Sequence, residues 1–134
     1  MNRRFLIISR HESDWLPHFS KALLPLGAVT VLTESELYLG KAGERTGGYD
    51  LFWIDSSYTH NVRGAVEYLK ALHNNVPVIV VSVSPEWQSV RDAMLAGADD
   101  YVAKTLHEDD IREAAARMLG IYAGLKRAVL SNAT

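Results

Sequence analysis

The sequence has no cysteine. That excludes disulfides and thiolate metal sites, and it fits a reducing compartment. It also lacks an excess of charge: 14 Lys and Arg stand against 16 Asp and Glu, for a formal net charge of −2. No general electrostatic pull toward nucleic acid or an anionic membrane follows from that balance. Long hydrophobic runs are missing as well. Arg3-Arg4 is followed only by Phe5-Leu6-Ile7-Ile8, too short a stretch for a signal peptide or a membrane span. The cytoplasm is the expected compartment, with neither nucleic acid nor membrane as a direct partner. Repeats, low-complexity stretches and linkers are absent, and 134 residues fit one domain, residues 1–134, with a real core.

What is present is organised around Tyr49–Asp55. Gly47 and Gly48 close the preceding segment, then Leu51, Phe52, Trp53 and Ile54 run apolar into Asp55. A short apolar run after a turn signal reads as a strand buried on both faces, the kind found in parallel sheets. Arg4–Ile8, Ala28–Leu32, Val76–Val81 and Tyr101–Ala103 read as four more strands. Helical patterns fall between them. Trp15, Phe19, Ala22, Leu23 and Leu26 keep helical spacing after Asp14, a candidate cap, with Pro17 in the first turn. Thr33 and Glu36 form a capping-box pattern on a second helix that Gly40 and Gly43 weaken. Val62, Val66, Leu69 and Leu72 or His73 mark a third. Val90, Met94 and Leu95 supply the apolar face of a fourth, which ends at Gly97 and carries Trp87. Glu108-Asp109-Asp110 opens a fifth with charge suited to a helix N-terminus. Five strands alternating with five helices predict a parallel sheet covered on both faces by right-handed crossovers.

In such a sheet the C-terminal strand ends share one edge, where sites are built. Here they bring together Ser9-Arg10, Asp55, Ser82 and Lys104. A carboxylate flanked by a lysine and a hydroxyl can accept a phosphoryl group, the lysine offsetting charge and the hydroxyl bonding an oxygen. Each residue alone has a plainer reading: Asp55 as a turn cap, Ser82 as a strand-end hydroxyl, Tyr101 as a core ring with a wet tip, Lys104 as a solvated cation. Their joint spacing is what lifts them. Gly40-Lys41 lacks the rest of a phosphate loop. His11, His18, His60, His73 and His107 are scattered without zinc-motif spacing.

Three segments, Asp50–Asp55, Val76–Ser82 and Ala96–Lys104, resemble in order and spacing the third to fifth strands of response-regulator receiver domains. The resemblance covers essentially the whole chain. It implies a flavodoxin-like (βα)5 fold, a doubly wound five-stranded parallel sheet of order 2-1-3-4-5. By position it makes Asp55 the phosphoacceptor, Ser82 the switch hydroxyl, Tyr101 the switch aromatic and Lys104 the family's lysine. It further implies two-component signalling, with a histidine kinase or an output domain as protein partner.

The departures from that pattern bear on mechanism. Where the family has an acidic pair that helps hold magnesium, this chain has Ser9 and Arg10. Magnesium wants an octahedron of oxygens, and an arginine cannot be a ligand. One acid against Arg10 and Lys104 repels a divalent ion. Glu12 or Asp14 could rescue a metal site only by folding back from beyond the strand. Thr105 replaces the proline after the lysine, removing the reason for a cis peptide. Thr59 replaces the proline of the loop after Asp55. The reading is a degenerate receiver, or pseudo-receiver, with no metal or other cofactor. An Arg10–Asp55 ion pair is expected to fix its pocket, and it signals through protein contacts. Two alternatives stay open: a conventional receiver phosphorylated on Asp55 with magnesium, and a flavodoxin-like module binding a small anion or nucleotide through Arg10 and Lys104. An enzyme in its own right is not expected, because no further base–nucleophile pair is visible.

The last helix runs from about residue 108 to 130, or ~33 Å. Ile111, Ala115, Met118, Tyr122, Leu125 and Val129 follow a heptad pattern. Packing on the sheet needs only its first half. The second half predicts a homodimer seam, although Gly120 and Gly124 weaken the helix by roughly 1 kcal/mol each against alanine.

Overall fold

A computed structural model describes the backbone of residues 2–132 and side chains as far as residue 120. Five strands form one parallel sheet: β1 (Arg3–Ile8), β2 (Gly27–Leu32), β3 (Leu51–Asp55), β4 (Val78–Ser82) and β5 (Asp100–Ala103). Their order is β2-β1-β3-β4-β5, the arrangement expected from the sequence. Every residue of β3 and β4 is buried. Burial on both faces explains why these strands read as unbroken apolar runs rather than alternating ones. Boundaries moved by a residue or two. Tyr49 and Asp50 lie before β3, and the Asp50 carboxylate instead accepts the backbone N–H of Arg4 at 2.8 Å.

The helices are α1 (Leu16–Leu23), α2 (Glu34–Leu37), α3 (Val62–Leu72), α4 (Trp87–Ala96) and α5 (Glu108–Asn132). They divide the core in two. On one sheet face Phe5, Ile7, Trp53, Ile79 and Val81 pack with Trp15 just before α1, with Phe19 of α1 and with Ile111, Ala115 and Met118 of α5. On the other, Leu6, Ile8, Phe52, Ile54, Val78 and Val80 pack with Leu37, Val66, Leu69 and Ala93. Alternate residues of each strand feed opposite cores, so strand parity decides which side of the sheet a strand-end residue serves.

Local chemistry sets the helix ends. Thr33 and Glu36 make the expected capping box, but α2 is only four residues long before the Gly40–Gly43 segment. Glu36 accepts the backbone N–H of Thr33 and, on the same carboxylate, pairs with His11 at 2.7 Å. These contacts, the backbone bond foremost, hold its carboxyl down at about 2. The expected Asp14 cap on α1 is not formed. Trp15 takes the capping position without a side-chain bond, because Ser13 turns inward and its hydroxyl accepts the Trp15 backbone N–H at 3.3 Å. The expected apolar face of α4 is also corrected. Ala93 is its buried residue, while Met94 and Leu95 are exposed, since the helix turns a narrow face to the sheet. Ile111, Ala115 and Met118 are buried in this chain's own core, which leaves them no exposed dimer seam. Tyr122, Leu125 and Val129 lie outside the described side chains. No described helix is long and apolar enough to cross a membrane.

Candidate functional site

The site is built where β1, β3 and β5 end. Asp55 is the last residue of β3 and is fully buried. It shares the sheet face of Trp53, two residues earlier, and so belongs to the α1/α5 side. Lys104 follows β5 two residues after Val102 and serves the same side. Its ammonium donates to both carboxylate oxygens of Asp55, at 3.0 Å to Oδ1 and 2.9 Å to Oδ2. The Ser9 hydroxyl donates to Oδ2 at 3.0 Å. The Ser57 backbone N–H, from the short 3₁₀ turn Ser56–Tyr58, donates to Oδ1 at 3.1 Å. Four hydrogen bonds from three donor groups thus saturate the carboxylate. A fifth bond fixes its backbone, where the Thr59 hydroxyl donates to the Asp55 carbonyl at 2.8 Å. Thr59 is the residue that replaces proline in the family's pattern, and the substitution supplies a donor that proline lacks.

Arg10 does not join this group, contrary to the expected Arg10–Asp55 pair. Parity explains it. Phe5, Ile7 and Ser9 face the α1/α5 side, so Arg10 leaves the strand end in the other direction. Its guanidinium lies over the Tyr58 ring, 4.4 Å from the centroid, and 3.8 Å from the exposed Glu12 carboxylate. Glu12 and Asp14, the two acids that might have rescued a metal site, are both exposed. The cation that balances Asp55 is Lys104 alone, in a buried pair whose members neutralise each other.

Ser82 and Tyr101 do not bond the Asp55 carboxylate, although the Ser82 carbonyl accepts the Lys104 backbone N–H at 2.7 Å. The last residue of β4, Ser82, shares the parity of Val80 and Val78 and so serves the α3/α4 side. Its hydroxyl accepts the Ser84 backbone N–H at 3.3 Å. Tyr101 packs against the same core. The two residues line a polar cavity of about 520 Å³ together with His60, Ser84 and Asp92. Asp55, Lys104 and Ser9 are joined directly by hydrogen bonds, while Ser82 and Tyr101 line an adjoining cavity whose wall includes Ser56 and Thr59 from the turn after Asp55.

Two aromatics complete the Asp55 cluster. The Lys104 ammonium sits 4.9 Å from the Trp15 ring centroid and 5.2 Å from that of Tyr58. Aromatic faces attract a cation, and more so when it is shielded from water. Tyr58 was not singled out in the sequence, since a lone aromatic in a polar loop carries no positional signal. Trp15 read only as core. In the structure its indole N–H also donates to the Thr105 carbonyl at 2.7 Å, tying the loop before α1 to the one after β5.

The donor set can be tested against magnesium, the ion the family pattern implies. Hard cations of this kind take carboxylate and water oxygens. Asp55 is the cluster's only carboxylate, its oxygens are held by Lys104, Ser9 and Ser57, and Arg10 stands where a second acid is needed. No group of three or more acids or histidines among the described residues could hold a metal. The residues present do not fit the ion. The described residues contain no cis peptide, in keeping with Thr105 after the lysine.

No family model matches the chain, and no curated protein sequence matches it. Solved structures do. A CheY-like response regulator receiver domain protein from Methanospirillum hungatei superposes with a TM-score of 0.77 at 19% identity, over 92% of this chain and 98% of that one. A response regulator from Thermotoga maritima gives 0.75 at 18%, over 90% and 99%. An orphan response regulator of H. pylori gives 0.67 at 25%, over 87% and 96%. With the strand order and the site at the sheet's C-terminal edge, these likenesses establish that the chain has the CheY-like receiver fold of two-component response regulators.

Proposed function

We propose that this chain is a degenerate receiver, a signalling domain that acts through protein–protein contacts without magnesium-dependent phosphorylation of Asp55. The observation that carries the reading is the saturation of Asp55. Phosphoryl transfer to a carboxylate needs one oxygen free to attack and a cation able to bridge that carboxylate and the incoming phosphoryl group. Here each oxygen accepts two hydrogen bonds, and Ser9 and Arg10 replace the acids that would bring the ion. In place of a pocket that alternates between two charge states, the domain carries one neutral, fixed arrangement. Such a domain offers a partner a constant surface, so regulation comes from what binds it. The partner is a signalling protein, a kinase or an output domain, and the compartment is the cytoplasm. A second copy meeting the far half of α5, where Tyr122, Leu125 and Val129 continue the heptad spacing, belongs to the same reading.

The test is intact mass after incubation with a small-molecule phosphodonor, with and without magnesium, on wild type and Asp55→Asn. A standard receiver labelled alongside serves as control. The expected result is no added phosphoryl mass while the control is labelled. One phosphoryl group that requires both magnesium and Asp55 would overturn the reading in favour of a conventional receiver.

A further inference from the structure

The sheet has two free edges, and they are finished differently. At one, β5 is four residues long, opens at Asp100 and is followed by Lys104. Asp100 pairs with Arg117 of α5 at 2.6 Å. At the other, β2 runs six residues, Gly-Ala-Val-Thr-Val-Leu, with no charge and no proline. Its register against β1 is unbroken from Gly27 beside Arg3 to Leu32 beside Ile8, so no bulge twists it away. Short length, charge, proline and bulges are the usual protections of an edge strand against pairing. β5 is both short and charged, and β2 has none of these devices.

The hydrogen bonds to β1 fix what the β2 edge offers. The Arg3 N–H donates to the Leu26 carbonyl and the Ser9 N–H to the Leu32 carbonyl. In a parallel ladder alternate residues bond the same neighbour. Ala28, Thr30 and Leu32 therefore turn their backbone groups to β1, and Val29 and Val31 turn theirs outward. Both ends of this stretch are engaged. A Cβ on Gly27 would run into the Arg3 carbonyl, so the strand is pressed against β1 there. Beyond Leu32, the Thr33 N–H and carbonyl serve the capping box and the first turn of α2. The free stretch is Ala28–Leu32, and Thr30 is its midpoint.

We propose that two copies of this chain pair through β2, antiparallel about a twofold axis at Thr30. Val29 of each copy then lies opposite Val31 of the other, and each such pair exchanges both of its N–H···O bonds. The two Thr30 side chains meet on the axis. A second copy is the favoured occupant because the edge is complementary to itself, in hydrogen bonding and in charge. Arg3 and Arg4 line a groove at the N-terminal end of β2, together with Leu24, Pro25 and Gly27. Glu34 and Glu36 open α2 just past the C-terminal end. Neither Arg4 nor Glu34 has an ion-pair partner among the described residues. The axis reverses one strand against the other, so the arginine end of each copy faces the glutamate end of its mate. There is also room. Ala28 and Thr30 belong to the face that α2 covers, where they are exposed because that helix has only four residues. The proposal goes beyond the receiver reading and does not rest on it, and the contact is separate from the α5 seam.

The chain has no cysteine, so Thr30→Cys places a single thiol per copy at the axis. Opposite Cα atoms of such a pair stand about 4.5 Å apart, within the roughly 4.4–6.8 Å that a disulfide spans. The full chain carrying Thr30→Cys is oxidised with copper phenanthroline beside Ser89→Cys, an exposed position on α4. Thr30→Cys should form a covalent dimer about tenfold or more faster, because a preformed pair holds its thiols at high effective concentration. Sedimentation of the unmodified chain then reads the equilibrium. Thr30→Lys sets like charges opposite each other without touching a buried group, and should weaken the dimer about fivefold or more. Amide hydrogen exchange supplies the alternation. Val29 and Val31 should gain protection as concentration rises and lose it in Thr30→Lys, while the Leu32 amide stays protected throughout. Equal cross-linking of Thr30→Cys and Ser89→Cys would overturn the proposal. So would a dimer unchanged by Thr30→Lys, which would lie elsewhere, as at the α5 seam. A chain that stays monomeric with Val29 and Val31 unprotected would overturn it too, and would leave the edge to an extended segment of another protein.

Discussion

The Asp55 cluster and α4 belong to opposite faces of one sheet and are held in opposite ways. Asp55 is fully buried and its carboxylate receives four hydrogen bonds from three residues. Helix α4 buries a single side chain, Ala93, and starts at Glu86 without a side-chain cap. Trp87 and Leu95 on it are 77% and 71% exposed. Length is not the reason. Helix α3 has 11 residues against the 10 of α4, yet it buries Ala65, Val66 and Leu69 and is capped by the Asn61 side chain. The difference teaches that buried pairing is concentrated at the chemical centre, while α4 rests on the sheet through one buried side chain.

Three substitutions would break or sharpen that comparison. The largest effect belongs to Lys104→Met, which leaves the buried Asp55 carboxylate without its cation. Removing one member of a buried pair costs about 3–5 kcal/mol, and denaturant unfolding should show a loss of that size. A loss no larger than an exposed position gives would mean that Asp55 is not held as described. Next comes Gly97→Ala. Gly97 ends α4 at φ 115°, and an added Cβ would stand 3.3 Å from the Lys70 Cγ. Holding alanine there costs on the order of 1–3 kcal/mol. Hydrogen exchange should quicken in α4 while α3 keeps its protection; equal quickening of both would show the two helices to be one cooperative unit. Smallest is Trp87→Gln, expected to change stability by less than about 0.5 kcal/mol. A drop well beyond that in thermal or denaturant unfolding would reveal that Trp87 is covered in solution.

Much of this was open to reading from residue order. Phe52–Ile54 and Val78–Val81 are apolar on both sides because helices cover both sheet faces, and that run length, with the intervening helical patterns, sufficed for the topology. Asp55 and Lys104 were legible as a pair because parallel strands end on a common edge. Direction was the missing quantity elsewhere. Arg10 was counted as a charge in the pocket, but strand parity sends Ser9 inward and Arg10 out toward Tyr58. The same parity turns Ser82 and Tyr101 toward the α3/α4 side, and neither bonds the Asp55 carboxylate. The α1 cap was missed because Asp14 and Ser13 are both good cap residues, and only tertiary packing decides that Ser13 turns inward.

The bond from Trp15 to the Thr105 carbonyl joins residues 90 positions apart, as does the one from Arg112 to the Ala22 carbonyl. Contacts of such sequence separation carry a large loop-closure entropy and form late. The aromatic walls beside Lys104 thus depend on segments from opposite ends of the chain. A nascent polypeptide emerging in order can build β1 to β3 and seat Asp55 at the end of β3 while its countercharge is still unsynthesised. Until β5 arrives, that carboxylate has only Ser9 and Ser57 as donors. Closure of the first segment against the last is then the step that converts a solvated acid into a buried one, and a ribosome-stalled or C-terminally clipped chain should present it to water.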